Sequence, residues 1–224
     1  MNNILLSCTY LLLTFFITIL CYKKYGKYGL YIWMCVSVII CNIQTIKMTE
    51  ILGLTISLGN ISYGAIFLCT DILSEKYGIK ATKTGINLSL ITMIVFTILM
   101  QLFLLYDPSL IDNSQKSLIA LFSYMPRITI ASLLAYYISQ LVDAKLYQIV
   151  KKKYNKIWLS NNISTIISQT IDTLIFVLIS FIGVVSVPKI LELILTMIIF
   201  KFIIAILDTP FMLLITKINC KEID

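Results

Sequence analysis

The sequence predicts an all-α, polytopic transmembrane bundle of six to seven helices, with its amino terminus outside and its carboxyl terminus in the cytoplasm. Three observations carry that prediction. Seven apolar blocks follow one another along 224 residues. The mean hydropathy is +0.94, with 59% apolar and 13% charged residues, which a water-soluble domain does not tolerate. Finally, the lysines between the blocks alternate between many and few.

The blocks run over residues 4–22, 28–46, 61–76, 84–105, 118–142, 158–185 and 190–216. Most exceed the roughly 20 residues, at ~1.5 Å each, that a helix needs to cross a hydrocarbon layer. The third is short. Lys23, Lys24 and Lys27 follow the first block, and Lys76, Lys80 and Lys83 surround the end of the third. Lys145, Lys151, Lys152, Lys153 and Lys156 follow the fifth, and Lys217 and Lys221 follow the last. These 13 lie on one side, against Lys47, Lys116 and Lys189 on the other. Basic residues stay cytoplasmic, which orients the chain in the cell membrane. The first block has no preceding lysine and no small-residue cleavage site, so it reads as a span and not as a signal peptide.

Between the blocks, Lys47–Asn60 alternates from Ile51 to Leu58 and holds Gly53 and Gly59. It reads as an external loop, with a short extended or re-entrant excursion as the alternative. Asp107–Lys116 is a polar loop with Pro108 ending the preceding helix, and Lys145–Lys156 is a basic helical extension of the fifth span. No segment fits a separate soluble domain.

The chain has no histidine and no G-x-x-x-x-G-K-[ST] loop, so it builds neither a histidine-relayed triad nor a P-loop nucleotide site. Six cysteines without C-x-x-C spacing read as packing residues, so no metal or cofactor is expected. The net charge of +7 is distributed by topology, which points to anionic lipid headgroups and not to direct nucleic-acid binding.

Ionisable residues inside the spans are the candidate functional groups, because a charge in the bilayer core costs about 2.5–3.5 kcal/mol on insertion scales. They are Asp71, Arg127, Asp172, Lys201 and Asp208, with Asn42, Gln140 and Gln169 as polar companions. Gln169 and Asp172 are three residues apart, and Lys201 and Asp208 seven, so each pair shares one helical side. Such groups either clasp helices together, as Arg127 with Asp172 could, or converge on one polar chamber. Three carboxylates against two cations favour the chamber. Pro126 and Pro210 lie beside Arg127 and Asp208, where a broken helix builds a midplane site. The aromatics Tyr63, Phe67, Tyr124, Tyr136 and Phe200 read as packing or lipid-facing residues and not as a stacking box. Ser139-Gln140-x-x-Asp143 and Ser168-Gln169-x-x-Asp172 share a pattern, read here as coincidence because their depths differ.

Four stretches resemble the queuosine precursor transporter family. They are Gly64 to Ala81, including Thr70-Asp71-Ile72, Glu75 and Tyr77-Gly78; Arg127-Ile128 through Ala131-Ser132, Ala135-Tyr136 and Ser139-Gln140 to Asp143; Ser168-Gln169-x-x-Asp172-Thr173; and Lys201 followed by Asp208-Thr209-Pro210. The resemblance implies uptake of a 7-deazaguanine, in the cyano, aminomethyl or queuine form, for transfer-RNA modification. It also implies likeness to the six-helix substrate-binding subunits of energy-coupling-factor vitamin transporters, with the first span as an addition. A purine-like substrate suits the residues: a carboxylate at Asp172 or Asp71 accepts from the N1 and N2 donors, while Arg127, Gln169 or Asn42 serves the O6 and N7-like acceptors. Lys201 would neutralise Asp208 or the unoccupied carboxylate, and Gln140 completes the set. The alternatives are a carrier acting alone, a binding subunit requiring an energising module, a homo-oligomer of either, and a polytopic membrane enzyme. The last lacks a recognisable nucleophile and base.

Overall fold

In a computed structural model, which describes residues 3–154, 157–216, 218 and 220, the chain is almost entirely helical. The elements are α1 (Asn3–Thr45), β1 (Met48–Ile51), β2 (Leu54–Ser57), α2 (Gly59–Leu104), α3 (Gln115–Phe122), α4 (Met125–Tyr154), α5 (Ile157–Phe181) and α6 (Val187–Thr216). Among the described residues, four helical stretches are long and apolar enough to cross a membrane: Asn3–Thr45, Gly59–Leu104, Gln115–Ser139 and Val187–Asp208. The first two, at 43 and 46 residues, are each about twice the length that one crossing needs.

Each of these two folds back on itself at one glycine. Gly26 (φ 56°, ψ −135°) interrupts α1 and Gly78 (φ 77°, ψ 175°) interrupts α2, in backbone regions that side chains strongly disfavour. Contacts across the bends show antiparallel arms. Trp33 Nε1 donates to Thr18 Oγ1 at 2.9 Å, and Gln44 Nε2 to the Tyr10 hydroxyl at 3.0 Å. A side chain at Gly29 would meet the Cys21 carbonyl oxygen at 2.2 Å, so that glycine is what lets the first two arms close tightly below the bend. Gly85 likewise packs on Leu73 across the Gly78 bend. The first four apolar blocks are therefore two helical hairpins.

The chain divides into two compact units, Met1–Pro126 with Ile199–Asp224, and Arg127–Ile198. In the first, Phe15, Leu30, Met34, Leu68, Ile72 and Leu73 form a fully buried core with Ile56 of β2. The antiparallel β1–β2 pair turns at Leu52-Gly53, both with positive φ, which is the two-residue turn that suits the twist of a tight hairpin. Burial of Ile51 and Ile56, together with Ser57 Oγ donating to the Thr45 carbonyl, seats it on the helices. The alternation from Ile51 to Leu58 thus appears as an ordered hairpin.

The surface is apolar and part of the interior is not. Leu12, Leu13, Phe16, Ile32, Ile98, Leu99, Leu191, Leu195 and Ile206 are exposed, whereas Thr14, Thr18, Ser37, Ser89 and Thr97 are buried. Lipid, not water, is the medium that suits such a distribution. Within the fifth apolar block a two-residue turn at Ser123-Tyr124 separates α3 from α4, inside a stretch, Gln115–Ser139, that is long and apolar enough to cross a membrane. Pro126 consequently falls in the first turn of α4, where its missing N–H removes no helical bond. Pro210 lies inside α6, two residues beyond Asp208, and cannot donate to the Ile206 carbonyl.

Candidate functional site

The arm of α2 before Gly78 is the most enclosed helix of the first unit, and it is open along one line only. From Gly59 to Leu73 every residue is buried except Tyr63, Phe67, Thr70 and Asp71. Their spacing of four, three and one places all four on one helical face. Tyr63 and Phe67 meet edge to face with centroids 4.8 Å apart. Thr70 returns its hydroxyl proton to the Phe67 carbonyl at 2.7 Å. Asp71 is exposed, one turn beyond Phe67.

Two charged residues of α6 join this face within the same unit. The Lys201 ammonium lies 5.8 Å from the centre of the Tyr63 ring, in cation–π range. Asp208, 5% exposed, is close enough to Asp71 for the two carboxyl groups to act on one another electrostatically. Asp71, Lys201 and Asp208 thus share a unit and a neighbourhood. Asn42 is also in this unit, 4% exposed, with its amide donating to the Val38 carbonyl one turn back at 2.7 Å.

The remaining candidates belong to the second unit. Arg127 is half-buried and its guanidinium donates from Nε to the Ile179 carbonyl and from Nη2 to the Ile182 carbonyl. Those carbonyls stand at the end of α5, where the helix leaves acceptors unpaired and its dipole favours a cation. Asp172 is half-buried, and Ser139 Oγ reaches its Oδ1 at 3.5 Å while also donating to the Tyr136 carbonyl at 3.0 Å. The first residue of one S-Q-x-x-D segment therefore lies against the last residue of the other. Gln169 is half-buried one turn before Thr173, whose hydroxyl donates to the Gln169 carbonyl at 2.9 Å. The side chain of Gln140 lies outside the described residues.

One polar cluster escapes a reading of charges alone. Ser62 Oγ donates to Gln44 Oε1 and lies 3.0 Å from the Tyr10 hydroxyl, joining three helical arms beside the β-hairpin. Its only signal in the sequence is a glutamine near the end of an apolar block.

The family described as "Putative vitamin uptake transporter" matches residues 57–215, which contain the open face, Arg127, the Asp172 segment and the Lys201–Asp208 stretch. The chain belongs to that family. The chain is also 36% identical over 200 residues, 88% of its own length and 87% of the other's, to a protein of Bacillus subtilis (strain 168) named "Probable queuosine precursor transporter". No solved structure matches it. An apolar exterior, long bent helices and family membership together make this transporter a multi-pass membrane protein that takes up a small molecule.

Proposed function

We propose that the chain imports queuosine precursors, 7-deazaguanines such as the cyano or aminomethyl forms or queuine, across the cell membrane for transfer-RNA modification. The observation that carries this reading is the likeness over nearly the whole length of the chain to a relative named for that substrate. The chemistry of the open face supports it. Asp71 can accept from the paired N–H donors of a guanine edge, and Lys201 can donate to the O6 acceptor. Asp208 balances the ammonium when the site is empty. In the second unit, Asp172 and Gln169 offer the same acceptor and donor types, whereas the Arg127 fork serves the end of α5 and positions it.

The whole chain acts as one transporter domain, with the amino terminus outside and the lysine-rich turns at Gly26 and Gly78 in the cytoplasm. Catalysis has no part in the reading; substrate crosses unchanged. Its test is genetic. Cells that can neither synthesise nor take up these precursors are given the chain and an external cyano or aminomethyl 7-deazaguanine. Queuosine then appears in their transfer RNA. Unmodified transfer RNA despite abundant protein in the membrane would refute the proposal.

A further inference from the structure

We propose that Tyr63 and Phe67 form the aromatic surface on which the flat heterocycle lies, with its donor edge delivered to Asp71. This rests on the substrate class proposed above and adds the residues that select for planarity. The open line on α2 supplies the geometry. Tyr63 and Phe67 are the only non-buried residues between Gly59 and Phe67, and they are half-buried on the same face as Asp71. Phe67 and Asp71 are four residues apart, ~6 Å along the helix axis. That length accommodates half a bicyclic ring followed by a hydrogen bond of about 2.8 Å to a carboxylate oxygen.

Lipid does not suit this face. An exposed carboxylate against hydrocarbon carries the insertion cost that intramembrane charges avoid by facing a polar or water-filled interior. A planar, donor-bearing heterocycle suits both parts of it. Its π-face covers the rings, its N–H groups pair with Asp71, and its oxygen lies toward the Lys201 ammonium beside Tyr63. The rings stand at 87° to one another, so a single planar ligand that lies flat on one meets the edge of the other.

Equilibrium binding of the labelled cyano 7-deazaguanine to the purified full-length chain in detergent tests this. Tyr63→Leu and Phe67→Leu each weaken binding about tenfold or more, as loss of stacking under a base does, while Tyr63→Phe and Phe67→Tyr stay within about threefold of the parent. Phe67→Trp provides a second readout, since its emission changes on saturation with ligand above the signal of Trp33 and Trp158. Leucine variants that melt at the parental temperature and bind with parental affinity overturn the stacking role, as does a silent Phe67→Trp that still binds. A parent chain that binds no 7-deazaguanine fails at an earlier point. That result overturns the substrate class and the stacking role together.

Discussion

The Lys201 ammonium lies 5.8 Å from the centre of the Tyr63 ring, on the one face of the enclosed α2 arm that the protein leaves open. A lysine inside an apolar helix is thereby brought to a polar line that also carries Asp71. Lys201→Met is expected to cost a charge-assisted hydrogen bond of about 1.5–3 kcal/mol, a loss of about ten- to hundredfold in substrate affinity. Lys201→Arg retains the charge and much of the binding. Equilibrium binding on both variants checks this, and an unaffected Lys201→Met removes the residue from the site.

The two carboxylates that could take the donor edge differ in setting. Asp71 is exposed on the open line, while Asp172 is half-buried with Ser139 against it. Asp71→Asn should therefore reduce uptake more than tenfold at equal membrane abundance, and Asp172→Asn by less. The reverse order in an uptake assay would move the recognition site to the second unit.

Arg127 holds the end of α5 through two carbonyls. Arg127→Ala is expected to destabilise the protein by about 1.5–3 kcal/mol, the worth of hydrogen bonds from a charged donor, and Arg127→Lys to recover only part because the two-pronged geometry is lost. Melting temperature in detergent reads this out. Substrate affinity of the folded fraction should change little.

Ser62 joins Tyr10 and Gln44, one residue from each of three arms. Ser62→Ala should cost about 0.6 kcal/mol and no more than ~1.7, the mean and the maximum found for polar contacts between membrane helices. Thermal melting should fall while ligand affinity stays constant. A parental melting temperature would show that Tyr10 and Gln44 satisfy each other without the serine.

The seven apolar blocks were legible because bilayer thickness imposes a length that sequence displays directly. Particular residues mark where that legibility ends. The Gly26 and Gly78 bends fall in the gaps between blocks, but nothing local distinguishes a reversal on one residue from a longer loop. The break at Ser123-Tyr124 precedes Pro126 by two residues, because proline starts a helix as readily as it kinks one. Among the residues proposed for the site, Asp71, Lys201 and Asp208 stand out in the sequence by the cost of burying charge. Tyr63 and Phe67 did not: in an arm that is apolar all round, periodicity cannot show which side is left open. The Tyr10–Gln44–Ser62 cluster was hidden for a related reason, since its three members are distant in sequence and individually ordinary. The shared S-Q-x-x-D pattern reads as coincidence in the sequence, which does not show that Ser139 of one copy lies 3.5 Å from Asp172 of the other.

Uptake of labelled cyano 7-deazaguanine into liposomes containing only the purified chain tests the central claim most directly. Entry well above that of empty vesicles is expected, competed by the aminomethyl and queuine forms and reduced more than tenfold by Asp71→Asn. Entry no faster than into empty vesicles, from protein shown to be folded and inserted, would contradict it.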